Sequence, residues 1–216
     1  MHKVTMVSYK KFMDMLDQLP KQYSTLVIGI DGHGAAGKSM FSDSVRQLSQ
    51  RVTVVHMDDF YKPSSLRERS DSSIGAAFDW ERLVTQVLNK LMGNQSARYQ
   101  RYDWETDSLA EWHTVPAGEI VLIEGIYSTR KELRQFYDLL IWIECPHEIR
   151  LARGIERDGE KAREAWVNDW MPAEDRYVQN HRPDHHAHLL LDGCLLDTQH
   201  FCCKHIDPLI CPTLAT

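Results

Sequence analysis

Residues 32–39 read Gly32-His33-Gly34-Ala35-Ala36-Gly37-Lys38-Ser39, a match to the pattern GxxxxGK[ST]. The aliphatic residues Leu26, Val27, Ile28 and Ile30 come just before it, and Met40, Phe41, Val45 and Leu48 follow at helical spacing. The pattern therefore stands where a strand turns into a helix, the setting that gives it meaning. The glycines let backbone N–H groups converge on phosphate oxygens, and the helix N-terminus adds the positive end of its dipole. Residues 32–40, from Gly32 and His33 through Gly34, Ala35, Ala36 and Gly37 to Lys38, Ser39 and Met40, are the expected ATP-binding segment. Lys38 directs charge at the β and γ phosphates and is a candidate catalytic residue, and Ser39 is placed to ligate Mg²⁺. A turn of purely structural purpose has no need of a lysine and a hydroxyl in tandem.

Aliphatic runs at 52–57, 120–123, 139–143 and 189–191 predict four more short buried strands. Tyr9, Phe12, Met13, Leu16 and Leu19 recur at helical spacing and Pro20 closes them, which predicts a helix over 8–19. Trp80, Leu83, Val84, Val87, Leu88 and Leu91 form a second helical stripe ending near Gly93, and a third helix starts around Glu148. Strands separated by helices imply an α/β fold, a mostly parallel five-stranded sheet covered on both faces with ligands beyond its carboxyl ends. Residues 1–193 are expected to form the domain, with a lid at about 148–170. Residues 194–216 have no clear period and are expected to be a loosely attached tail.

Two carboxylate positions fall at strand ends. The run Ile120-Val121-Leu122-Ile123 finishes in Glu124, within expected reach of Mg²⁺ or its water shell, although a solvent-facing glutamate is the bland alternative. Asp58 and Asp59 end the second strand, where one acid accepts or orients the proton of an attacking hydroxyl; Asp58 is the stronger candidate. Arg150, Arg153 and Arg157 share a helix face, with Arg163 beyond, and could close over phosphates; pairing with Glu148, Glu156 and Glu160 is the rival reading.

The composition, 43% hydrophobic and 26% charged over 216 residues, is that of an ordinary globular chain. A net charge of -6 gives no general attraction to nucleic acid or to an anionic membrane. Five cysteines without a CxxC pair do not make a disulfide framework, and no apolar run is long enough for a membrane span, so a cytoplasmic setting is expected. His181, His185, His186 and His188, and separately His200, Cys202, Cys203, His205 and Cys211, lack the paired spacing of a structural zinc site.

The order of GHGAAGKS, HMDDFY, AFDWERL, RYDWETD, VLIEGIY and RLARGIERDG, spread over roughly 24–192, resembles the uridine kinase family, close to phosphoribulokinase and bacterial pantothenate kinase. The resemblance implies a P-loop kinase core with sheet order 2-3-1-4-5. It also implies transfer of the γ-phosphate of ATP to a primary hydroxyl of a small acceptor, with Mg²⁺. By the same resemblance Asp58 falls on the catalytic base, Tyr61 on an aromatic near the acceptor, Asp79 on the carboxylate that binds ribose hydroxyls, and Tyr102 on a base-contacting aromatic. Arg153 and Arg157 fall on the catalytic lid. Asp79 also stands where it would cap the helix opened by Trp80. Asp107 replaces the histidine with which the family reads a pyrimidine, and an acceptor-only carboxylate cannot donate to a pyrimidine carbonyl. Uridine or cytidine is the expected acceptor; pantothenate, nicotinamide riboside, a sugar phosphate, or a switch ATPase without an acceptor are the alternatives. The sequence leaves homo-oligomerisation open.

Overall fold

The structure, a computed structural model, describes residues 4–19, 23–68 and 72–215. Pro20, expected to close the first helix, lies outside the described residues. Strand β2 (Leu26–Gly32) occupies the middle of a seven-stranded sheet of order β1-β9-β8-β7-β2-β6-β3. Its parallel part contains β3 (Val52–His56), β6 (Ile120–Glu124), β7 (Leu139–Glu144) and β8 (Leu189–Asp192). The expectation of five strands is thereby corrected. The five expected strands occupy consecutive places, and two further strands, β9 (His200–Ile206) and β1 (Thr5–Ser8), continue the sheet antiparallel beyond β8.

Successive side chains of the central strands serve opposite faces, which is why their sequences are aliphatic throughout. Leu26, Ile28, Ile30, Ile120 and Leu122 pack on one side beneath helices α1 (Tyr9–Gln18) and α2 (Lys38–Leu48). Val27, Val121 and Ile123 pack on the other beneath helix 80–92, which delivers Leu83, Val87, Leu88 and Leu91 and contains one π turn, Val84–Leu88. Helix α1 begins at Ser8, whose Oγ accepts the Lys11 N–H at 3.2 Å, and it packs Phe12 against Phe41 and Phe201.

The expected tail is corrected as well. Phe201, Cys203, Cys211 and Leu214 are buried in the same core as α1, so this segment is built into the sheet. A hairpin of β4 (Ala97–Asp103) and β5 (Ser108–Val115) stands apart from the main sheet and covers helix 80–92 with Tyr99 and Val115. No helix among the described residues is long and apolar enough to cross a membrane.

Candidate active site

The phosphate loop joins β2 to α2 at the carboxyl edge of the parallel strands. A side chain at Gly32 would bring its Cβ to 2.3 Å from the Ile143 carbonyl, so only glycine lets the loop leave the sheet there. Gly37, at φ 107°, turns the chain into α2 from a conformation that costs other residues energy. Lys38 is the first helical residue, and its Nζ donates to the Gly32 and His33 carbonyls at 3.0 and 2.8 Å, which curls the cation back over its own loop. His33 is half-buried, edge-on to Trp142, with its Nε2 3.5 Å from Asp175. Burial, with Arg150, Lys38 and His147 nearby, pushes its pKa down to about 3. The contact with Asp175 is therefore made by a neutral ring and is not an ion pair.

Beside the loop, Ser39 Oγ donates to Glu124 Oε1 at 3.4 Å, and His56 Nδ1 meets the same oxygen at 2.6 Å. The hydrogen bond to Glu124 raises the His56 pKa. A hydroxyl and a carboxylate so placed are hard oxygen donors that fit Mg²⁺, which takes one or two protein oxygens and completes its shell with phosphate and water. Among the described residues no group of three or more His, Cys, Asp or Glu could hold a metal ion unaided.

The two acids after β3 part company. Asp59 turns inward, where it accepts the Tyr99 hydroxyl at 2.9 Å while its backbone carbonyl accepts Arg82 Nη2 at 2.7 Å. Asp58 opens onto the cleft. Its side chain is exposed to the cleft, and the surrounding walls, followed by the charge of Glu124, push its pKa up against Lys38, His56 and Arg157.

This cleft, of about 900 Å³, gathers Gly34, Ala35, Gly37, Lys38, Ser39, Met40, Asp58, Tyr61, Glu124, Arg153 and Arg157 from the sequence-predicted set. Gly32, His33, Ala36, Asp79, Tyr102 and Asp107 do not line it. Helix His147–Asp158 presents the arginines. Arg153 Nη1 donates to the Gly193 carbonyl at 3.0 Å, and the exposed Arg157 pairs with Asp158 through Nε and Nη2 at 2.8 and 3.0 Å. Arg150 is buried, giving Nε to the Cys145 carbonyl and Nη1 to Glu174, and Arg163 pairs with Glu160 at the surface.

An aromatic wall continues from the phosphate end. Tyr61 leans against Trp104, tilted by 36° with 4.5 Å between centroids, and meets Phe78 edge-on at 5.0 Å. Tyr102 lies behind them, its hydroxyl donating to Asp107 Oδ1 at 2.6 Å. Asp107 also accepts the Ser64 N–H at 2.9 Å and the Ser64 hydroxyl, and these donors hold its pKa down to about 2. Its carboxylate thus ties the hairpin turn to the loop after Tyr61. Asp79 caps helix 80–92, with Oδ1 accepting the Arg82 N–H at 3.0 Å.

Sequence reasoning missed the residues that clamp the loop from above. Trp166, in the helical run 163–181, fills the space left by two glycines: a Cβ at Gly34 or Gly154 would lie 2.9 or 2.4 Å from its indole. Glu174 follows one face along, accepting the Gly34 N–H and Arg150 Nη1 at 3.1 Å, and burial raises its pKa. Asp31, buried at the end of β2, accepts Gly32 N–H, Thr129 N–H and Oγ1, and Tyr177 Oη at 2.6–2.9 Å. It joins the phosphate loop, the turn after β6 and helix Met171–His181. A glycine inside the arginine helix was the available hint for Trp166; Asp31 and Glu174 carried none.

A phosphate loop, a strand-end carboxylate beside its serine, cleft arginines and an aromatic wall on a parallel α/β sheet together define a P-loop kinase. The chain belongs to the phosphoribulokinase/uridine kinase family, whose model matches residues 27–186. It is 33% identical over 141 residues to uridine-cytidine kinase A of Dictyostelium discoideum, covering 62% of this chain but only 28% of that one. It is 27% identical over 208 residues to the uridine kinase of Mycoplasma pneumoniae, covering 85% and 97% of the two chains. The structure is similar to that of a possible uridine kinase from Bacillus stearothermophilus, with TM-score 0.63, 25% identity and coverage of 83% and 98%.

Proposed function

We propose that this chain transfers the γ-phosphoryl group of ATP to a primary hydroxyl of a ribonucleoside, uridine or cytidine, in the cytoplasm. The observation that carries the reading is the continuity of the cleft: Lys38, Ser39, Glu124 and Asp58 at one end run without a break into Tyr61, Phe78 and Trp104 at the other. A switch ATPase has no use for that second half.

Bound Mg²⁺ would supply charge to the β and γ phosphates, held through Ser39 and Glu124. Lys38 and the N-terminus of α2 stabilise the phosphate oxygens, and Arg153 and Arg157 approach from the lid side. Asp58 orients the acceptor hydroxyl and takes its proton. Asp79 stands beside the cleft, its Oδ2 3.7 Å from Arg82 Nε, and would exchange that contact for the ribose hydroxyls. With Asp107 engaged by Ser64 and Tyr102, the base is recognised chiefly by stacking on the Tyr61 and Trp104 wall, so selectivity among bases should be weak. The test is ADP formation from ATP·Mg²⁺ with and without uridine, cytidine, purine ribosides, nicotinamide riboside and pantothenate. Stimulation by nucleosides supports the reading. Stimulation by pantothenate alone, or ADP release indifferent to every acceptor, overturns it.

A further inference from the structure

Cys145 and Cys194 hold their sulfurs 3.5 Å apart, the closest thiol contact among the described residues, and neither takes part in the phosphoryl chemistry above. Cys145 follows β7 and is buried beneath the arginine helix. Cys194 follows β8 in the turn that begins at Gly193, and it is half-buried, so a small oxidant reaches it from solvent. We propose that this pair is an oxidation site at which a hydroperoxide closes a Cys145–Cys194 disulfide, and that the bond weakens nucleotide binding.

The chemistry balances with the hydroperoxide as oxidant. The Cys194 thiolate attacks a peroxide oxygen, the O–O bond breaks, and a sulfenic acid forms as an alcohol or water leaves. The Cys145 sulfur then attacks Cys194 Sγ, loses its proton, and expels the sulfenic oxygen as water. Two thiols lose two electrons and the peroxide gains them. Burial and the neighbouring sulfur push the Cys145 thiol up to about 11, so Cys145 resists direct oxidation and Cys194 is the sulfur oxidised first. Arg153 Nη1, 3.7 Å from Cys145 Sγ, favours the thiolate as it forms.

The consequence for the cleft follows from what the turn touches. A disulfide requires the sulfurs to close from 3.5 Å to about 2.0 Å, a movement shared between side-chain rotation and the backbone of the 193–196 turn. The 193–196 turn has no slack on its other side: a Cβ at Gly193 would lie 2.1 Å from the Ala36 carbonyl, and one at Gly37 would lie 2.8 Å from Leu196. The Gly193 carbonyl is also the acceptor for Arg153. Drawing Cys194 toward Cys145 therefore shifts a wall of the phosphate loop and disturbs a cleft arginine together. This coupling rests on the reading of the loop as the ATP site, whereas the bond itself does not.

The experiment treats the purified full-length chain with hydrogen peroxide and reads intact mass, a non-reducing peptide map and equilibrium binding of ATP. Expected are a loss of ~2 Da reversed by dithiothreitol, a peptide linked through Cys145 and Cys194, and ATP affinity lower by roughly threefold or more. Cys145→Ser and Cys194→Ser should each bind ATP as the reduced wild type does and lose the response. Thiols that stay free, or a link confined to Cys203 and Cys211, would overturn the site. A Cys145–Cys194 bond with unchanged ATP affinity would overturn its coupling to the cleft. Failure of the reduced protein to bind ATP would instead count against the functional reading, with the mass and peptide results still reporting on the bond.

Discussion

Asp58 and Asp59 are chemically identical and adjacent, yet the structure uses them for opposite purposes because the short 3₁₀ turn after β3 sends one into the cleft and the other toward Tyr99. Asp58→Asn should keep the fold and lower turnover by ~10²–10⁴-fold, the usual range for a general base, without weakening ATP binding. Asp59→Ala strands the buried Tyr99 hydroxyl, a loss of ~1–3 kcal/mol that should lower the melting temperature by ~2–10 °C with turnover per folded molecule retained. Exchange of these two phenotypes would show that Asp59 is the base. The pH profile is a separate check. The base works ionised and desolvation with Glu124 raises its pKa, so the acid limb of kcat/KM should lie above the ordinary value of ~3.9 and vanish in Asp58→Asn. At this scale the sequence was informative wherever a residue's type and its place at a strand end determined its role. It was silent on Glu174 and Asp31, because partners distant in the chain leave no local pattern, as the Glu174 bond to Arg150 across 24 positions and the Asp31 bond to Tyr177 across 146 illustrate.

The helix cap at Asp79 and the tether at Asp107 show single carboxylates holding whole elements in place. Asp79→Ala removes the acceptor for the Arg82 N–H and should cost about 1 kcal/mol through the cap alone. If Asp79 also accepts ribose hydroxyls, the same variant should abolish a roughly five- to hundredfold preference for ribonucleosides over deoxynucleosides. Thermal melts and substrate ratios on one protein separate the two roles. Asp107→Ala should release the turn that carries Trp104 from Ser64, raising KM for the acceptor severalfold while kcat at saturating acceptor stays close to normal. A fall in kcat alone would contradict a purely positioning role. The sign of its pH dependence follows from its lowered pKa. The tether contributes in full above the unfolded value of about 4 and is lost only as pH falls toward 2. The hairpin that bears these residues was not legible as strands. Ala97 and Tyr99 alternate with Arg98 and Gln100, but the register shift between Gln100 and Tyr102 breaks the period, and the turn is closed by Asp107 at φ 50° without a glycine.

Across the whole molecule, the parallel strands could be read from aliphatic runs because both of their faces are buried. The antiparallel extension could not. Strand β9 reads His200-Phe201-Cys202-Cys203-Lys204-His205-Ile206, a mixture whose buried members resemble a metal cluster or a tail as much as a strand, and β1 has only four residues. Its contribution is nonetheless central. Phe201 is fully buried, with ring centroids 5.2 Å from Tyr9, 5.6 Å from Phe12 and 5.2 Å from Phe41. Phe201→Ala should therefore cost ~3–5 kcal/mol, a large part of the ~5–15 kcal/mol that holds a typical domain folded. Truncation after Gly193 goes further: it removes that ring, takes away β9, the strand with which β1 pairs, and exposes Leu189 and Leu191 along a bare sheet edge that invites aggregation. The truncated chain should be insoluble, or should melt without cooperativity, whereas Phe201→Ala should be less stable but still bind ATP. A soluble 1–193 fragment with a cooperative melt and wild-type nucleotide affinity would show that the parallel strands fold unaided. The loop at residues 32–39 would then owe nothing to β9, even though Leu196, in the turn that leads to that strand, lies against Gly37.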